Sequence, residues 1–339
     1  MERDYIMCEC HVSRNFFIHS VGMHFTYTGD DAAFERAYAA DIRDCAILED
    51  VLAEVKTQRE KRLRAPVDAE IRAKRVQEEY TPLHPEIFSL EPTFLSEVFR
   101  DMVRSLKNCR SISDVTRCVA DLKSSGHLTE VRRGLYTFEV LSGRFCDLLE
   151  AEFAQFSASG LPRTQPNTMN RHGIILSELG LYPAMEQLVV GYVDVLASAL
   201  LPNHTEGLDS FRAFTVLYDT TETGDRELAL HYDNSEVTLN VNIGGEWDGG
   251  QVEFEGLVTE AESEKYSVVL ARGHGVIHAG YDMHRAMPLT EGRRHNLILW
   301  CRSSGVRNER CPMCFEQPRK IRTNFFSNEG FSVVPGEHL

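Results

Sequence analysis

His231 and Asp233 stand two apart in the run LALHYD at residues 228–233. In an extended strand, residues i and i+2 project to the same face. One imidazole and one carboxylate would then converge on a single point. A third ligand has to come from another element, and His284 follows 53 residues on, just after the run GVIHAG. Two histidines and a carboxylate form the facial triad that holds non-haem Fe(II) and leaves coordination positions open. A keto acid can take two of these and dioxygen the third. A keto acid with a distal carboxylate needs a cation at its far end. Arg294 lies ten residues beyond His284 at the head of another apolar run. Its planar fork can pair bidentately with a carboxylate, which lysine does less well. An HxD pair alone is common by chance; the informative feature is the order His, Asp, His, Arg on a glycine-punctuated stretch.

The elements that must position these residues read as short strands. From about residue 210 they are 211–218, 228–233, 237–243, 251–256, 266–271, 275–280 and 295–301. Many short strands at this spacing indicate a sandwich or barrel. In VTLNVNI, Val237, Leu239, Val241 and Ile243 form an apolar face, and Thr238, Asn240 and Asn242 a polar one. Asn240 is assigned to a wet pocket wall; Asn242 faces either that pocket or solvent. Upstream, 135–140 reads as a strand, and Ser142 caps a helix carrying Phe145, Leu149, Phe153 and Phe156. The PNTMN run at 166–170 reads as a turn with asparagine side chains bonded to backbone.

The N-terminal third reads as mostly helical, with Leu48, Val51, Leu52 and Val55 on one face. Residues 56–80 alternate in charge sign and suggest a solvated helix, a linker broken near Pro66, or a partner-binding arm. A proline-rich connection (81–92) and a further helical region (93–125) follow. The apolar stretch from Leu188 to Leu201 contains Asp194 and is shorter than the roughly 20 residues a membrane span needs, so it reads as a buried helix.

The chain has 339 residues with 36 basic and 51 acidic side chains, a net charge of -15. That balance disfavours nucleic acid and anionic membrane surfaces as non-specific partners. Nine cysteines, an odd number, and an N-terminus without a secretory pattern point to a reducing compartment, cytoplasmic or nuclear. The CPMC run at 311–314 has the spacing of a zinc half-site, which Cys8, Cys10 and His11 could complete. The alternative is buried or free thiols. Cys45, Cys109, Cys118, Cys146 and Cys301 read as core residues.

The run HYDNSEVTLNVNIGG, followed by GGQVEF, GHGVIHAG and HRAMPLTEGRRHNLILW, resembles the iron- and 2-oxoglutarate-dependent dioxygenases of the prolyl and lysyl hydroxylase type. The resemblance takes in residues 165–181, the CxC near the N-terminus and VRNERCPMC at 306–314. It implies an α+β fold: a double-stranded β-helix, or jelly roll, with flanking helices and a mostly helical N-terminal region. The division it suggests is 1–130 for that region, 131–304 for the oxygenase domain (catalytic segment 211–304) and 305–339 for a tail. It implies that His231, Asp233 and His284 bind Fe(II), that Arg294 holds the distal carboxylate of 2-oxoglutarate, and that Tyr218 and Asn240 contact this cosubstrate. The family pattern of His, Pro, then Gly-x-Arg is met by His284, Pro288, Gly292 and Arg294, which selects His284 over His278 and Arg294 over Arg293. His274 and His295 are then structural or exposed, and PNTMN borders the site's mouth. The implied reaction hydroxylates a C–H bond, on this reading of a protein or peptide side chain, and releases succinate and carbon dioxide with ascorbate as reductant. Two rival readings are a demethylase using the same centre and a catalytically silent scaffold.

Overall fold

The computed structural model describes residues 3–220, 225–259, 264–323 and 331–333. The strands of interest are β1 (Thr129–Arg132), β2 (Leu135–Glu139), β3 (Ser210–Asp219), β4 (Leu228–His231), β5 (Val237–Gly244), β6 (Trp247–Gly249), β7 (Val252–Leu257), β8 (Tyr266–Val268), β9 (His274–Ala279), β10 (Asp282–Ala286) and β11 (Leu289–Arg302). One antiparallel sheet runs β1-β2-β9-β5-β11-β3, with β6 beside β11; a smaller one runs β8-β7-β10-β4. From β3 to β11 the chain passes repeatedly between the two sheets, which is the winding of a double-stranded β-helix.

The alternation in β5 explains how the layers separate. Val237, Leu239, Val241 and Ile243 point outward into a core shared with helices Glu97–Lys107, Gly143–Ala158 and Asp194–Leu200. The opposite face of the large sheet looks toward the small sheet. There Leu135, Val252, Phe254, Val268 and Val276 make one apolar cluster, and Phe214, Val216, Tyr218, Ala286 and Ile298 another. With both faces covered, β5 is buried along nearly its whole length. Ser142 caps its helix by accepting from the Phe145 N–H. Among the described residues, no helix is long and apolar enough to cross a membrane.

The N-terminal region folds as helices with two small sheets, Phe16–Ile18 with Met23–Phe25 and Arg3–Met7 with the C-terminal strands. Its helix Cys45–Glu79 starts at the Asp44 cap and buries Leu48, Val51, Leu52 and Val55 against Phe16, Ile18, Phe25 and Phe34. It runs unbroken through Pro66, so the break expected there does not occur. The ring removes one N–H from the ladder, a cost of about 3 kcal/mol for an interior position. Tertiary contacts on both sides offset it. Arg59 and Arg62 donate to the carbonyls of His11, Val12, Arg14 and Asn15, and Arg72 pairs with Glu178 at 2.7 Å. The charged run is therefore a helix strapped to the body by its arginines.

Four further expectations need correction. His284 does come just after the GVIHAG strand, but no strand was expected there, and it lies in one of its own, β10. Strand β4 ends at His231, so Asp233 stands just beyond it, where its N–H donates to the Gly280 carbonyl at 2.7 Å. Arg294 lies well inside the 14-residue β11 and not at its head. Of the cysteines read as core, Cys146 and Cys301 are buried, but Cys45 is exposed and Cys109 and Cys118 are partly so.

Candidate metal centre and cosubstrate pocket

His231 and His284 are register partners across β4 and β10. Directly opposed residues bring their side chains close, and the two rings lie 4.3 Å apart. The turn after β4 swings Asp233 onto the same point. Its Oδ1 is 3.6 Å from His231 Nε2 and its Oδ2 is 3.7 Å from His284 Nε2. The Nδ1 of His231 lies 2.8 Å from the Ala229 carbonyl, and that of His284 is 2.8 Å from the Asp282 carbonyl. A carbonyl only accepts, so each Nδ1 carries the proton and each Nε2 presents a lone pair. Three acceptors thus face one another with no proton between them. Such a donor set fits a divalent cation, and two imidazoles with a carboxylate suit Fe(II).

The electrostatics agree. Burial pushes His284 down to about 4; burial and the neighbouring His284 do the same for His231, against the pull of Asp233. Both rings are neutral near pH 7 and need lose no proton to bind a metal. Burial raises the Asp233 carboxyl above its ordinary value, opposed by His231 and by the Thr238 hydrogen bond. The Thr238 hydroxyl donates to Asp233 Oδ2 at 2.7 Å, and Ser235 Oγ lies 2.7 Å from that hydroxyl. Phe254 stacks on His284 with ring centroids 5.5 Å apart. His278 packs behind His284 and bonds the Ala279 carbonyl through Nδ1, outside the group of converging ligand atoms.

One pocket joins the triad to Tyr218, Asn240 and Arg294, and to Asn167 and Asn170 of the PNTMN turn. Arg294 is buried, whereas Arg293 is exposed. Its guanidinium sits 4.6 Å over the ring of Tyr218, its register partner on β3. Its Nη1 donates to the Gly250 carbonyl, while its Nε is buried with no hydrogen-bond partner among the described residues. A buried cation with an uncommitted donor suits an incoming carboxylate. Gly292, two residues before Arg294, lets β11 pack closely on the backbone of Glu246 and Trp247. It has φ +84°, and a Cβ there would stand 2.0 Å from the Glu246 carbonyl oxygen.

Asn240 accepts from Asn296 Nδ2 at 2.6 Å. Asn242 faces neither pocket nor solvent; it is buried, donating to the Leu270 carbonyl and accepting from Gly244. In PNTMN the Asn167 side chain accepts from the backbone of Met169 and Asn170, and Asn170 donates to Tyr218 Oη at 3.2 Å. The turn is thus both self-bonded and part of the pocket wall. Sequence reasoning missed Asn296 and Trp300, which also line the pocket. Counting by twos along β11 from Arg294 would have found both. Outside this pocket, Cys8, Cys10, Cys311 and Cys314 also come together, and the first three of them line a larger cleft that shares residues with it.

The roll and this constellation define an iron- and 2-oxoglutarate-dependent oxygenase domain with a candidate HxD…H facial triad. The OGFOD2-like domain model matches residues 76–206. The chain is 35% identical over 336 residues to the 2-oxoglutarate and iron-dependent oxygenase domain-containing protein 2 of Xenopus tropicalis, covering 96% of this chain and 93% of that one. It is 34% identical over 340 residues to the Homo sapiens protein of the same name, covering 97% and 94%. A Pseudomonas putida prolyl-4-hydroxylase crystal structure aligns with a TM-score of 0.38 and 19% identity, over 56% of this chain and 98% of that one. The chain belongs to the family of 2-oxoglutarate and iron-dependent oxygenase domain-containing protein 2.

Proposed function

We propose that this protein hydroxylates a C–H bond of a protein side chain in a reaction that uses Fe(II) and 2-oxoglutarate. The convergence of three proton-free ligand atoms in the pocket that also holds the uncommitted Arg294 donor carries this reading. His231, Asp233 and His284 would hold the iron, with Thr238 and the two backbone carbonyls orienting them. Arg294 would hold the far carboxylate of 2-oxoglutarate, with Tyr218 and Asn240 beside it. Dioxygen would be the oxidant, and bound Fe(II) would supply its activation: one oxygen atom would enter the substrate C–H bond and the other 2-oxoglutarate, whose oxidative decarboxylation gives succinate and carbon dioxide. Ascorbate would keep the iron ferrous.

The protein's part is binding, orientation and exclusion of water. A cleft of about 790 Å³ shares His231, Leu228, Trp300 and Asn167 with the small pocket. Its far wall comes from the strapped helix, including Arg62 and Arg72, and from His24. Its size is that of a ligand site and admits a side chain with neighbouring peptide. The test is succinate formation by the purified protein with Fe(II), 2-oxoglutarate, ascorbate and air. Succinate that disappears in His284→Ala is the expected result. Failure of the Fe(II)-loaded wild type to bind 2-oxoglutarate without oxygen would refute the reading.

A further inference from the structure

Four thiols from the two ends of the chain meet at one point that the iron chemistry does not use. Cys8 Sγ is 3.3 Å from Cys314 Sγ, and Cys10 Sγ is 3.6 Å from Cys311 Sγ. All four sulfurs lie within 4.8 Å of one another. A tetrahedral zinc with bonds of about 2.3 Å sets its sulfurs roughly 3.8 Å apart, which matches this spacing. Three of the four cysteines are buried and the fourth is half-buried, and all are free thiols. We propose that Cys8, Cys10, Cys311 and Cys314 bind one structural Zn2+ that fastens the two chain ends together and fixes the rim of the substrate cleft.

The backbone around the sulfurs is shaped for this. On the N-terminal side the His11 N–H donates to the Cys8 carbonyl at 3.1 Å and the Arg14 N–H to the Cys10 carbonyl at 2.8 Å. On the C-terminal side the Phe315 N–H donates to the Cys311 carbonyl at 2.8 Å and the Cys311 N–H to the Glu316 carbonyl at 2.9 Å. Closing that second turn puts Phe315 at φ +63°, a region a residue with a Cβ seldom adopts. Arg14 pairs with Glu316 across the two turns at 2.7 Å. His11, the other ligand considered, is outside the group of converging ligand atoms.

A hydrogen bond ties the site to the candidate metal centre. Tyr232, the residue between His231 and Asp233, donates its hydroxyl to the Met313 carbonyl at 2.9 Å, inside the Cys311–Cys314 turn. Cys10, Cys311 and Met313 line the same cleft as His231. Arg62 reaches the carbonyls just after Cys10, so the strapping helix also rests on this knot. Ligation by four thiolates releases their protons and couples metal binding to the fold of both ends.

The experiment measures metal in full-length protein purified without chelator, in a His284→Ala background so that the histidine site does not contribute. About one zinc per chain is expected, falling to near zero in Cys311→Ser and in Cys10→Ser and unchanged in Cys45→Ser, an exposed cysteine outside the cluster. Should the serine variants not fold, titration of the parent protein with a mercurial thiol reagent decides, with one zinc released as the four cluster thiols react, after exposed thiols such as Cys45. Absence of zinc, iron in its place, zinc retained by Cys311→Ser, or disulfides among the four cysteines on non-reducing mass spectrometry would each overturn the proposal.

Discussion

Replacing Arg294 by methionine keeps most of the apolar stem and removes the buried cation of the small pocket. If this cation receives the distal carboxylate of 2-oxoglutarate, the ligand must then bury a negative charge without its partner. Truncating one side of a buried, hydrogen-bonded charge pair costs about 2–5 kcal/mol. At about 1.4 kcal/mol per tenfold, that is a loss of affinity between about 30-fold and several thousand-fold. Arg294→Lys keeps the charge and loses the fork, so it should fall between. The effect on the apo fold runs the other way. Arg294 spends one donor on the Gly250 carbonyl and leaves its buried Nε unsatisfied. An apolar residue of similar length in a buried ionic position is often neutral or stabilising. The variant should therefore keep or raise its melting temperature while losing 2-oxoglutarate. Calorimetric titration of 2-oxoglutarate into anaerobic Mn(II)-loaded protein, with scanning calorimetry of the apo form, reads both quantities. An affinity within threefold of the parent, together with a melting temperature lower by several degrees, would refute the reasoning and make Arg294 a packing residue.

Three other outcomes follow from the geometry. Thr238→Val removes the hydroxyl that orients Asp233 and should weaken Fe(II) or Mn(II) binding about 10- to 100-fold, as measured by metal titration. Phe254→Ala empties a fully buried ring site against His284 and His278 and should cost about 3–5 kcal/mol in urea unfolding. Burial, with Arg293 nearby, pushes His295 down to about 3, whereas the unfolded ring titrates near 6.5. Its neutral form thus contributes stability that is complete above pH 6.5 and declines as pH falls toward 3. At pH 5 the deficit is about 2 kcal/mol. His295→Leu should flatten the melting temperature between pH 7 and 5 relative to the parent; an unchanged slope would show that the acid sensitivity arises elsewhere.

Much of the site was legible because local chemistry survives in one dimension. His231, Asp233, His284 and Arg294 are recognisable as residue types with useful spacing, and alternation in VTLNVNI separated a helix-facing side from a pocket side. Alternation failed for Asn242, whose polar side chain satisfies backbone groups from the 270 loop and its own strand end. It also gave the right partner for the wrong reason at Asp233. The strand stops at His231, and the carboxylate arrives by a turn held on the Gly280 carbonyl.

What the sequence determined by itself was the donor set, the strand-rich half, the helical faces and the family resemblance. These depend on side-chain type and on periods of two and 3.6 residues. The tertiary structure decided the rest. It put His284 in a strand opposite His231, turned both Nδ1 protons toward backbone carbonyls, and buried Arg294 with a donor to spare. It carried the helix through Pro66 by giving its arginines carbonyls and a carboxylate to bind. It also brought Cys8 and Cys314 to 3.3 Å across 306 positions of chain. Such encounters depend on how the sheets close and on which backbone groups end up without partners, and neither is encoded in the spacing of neighbouring residues.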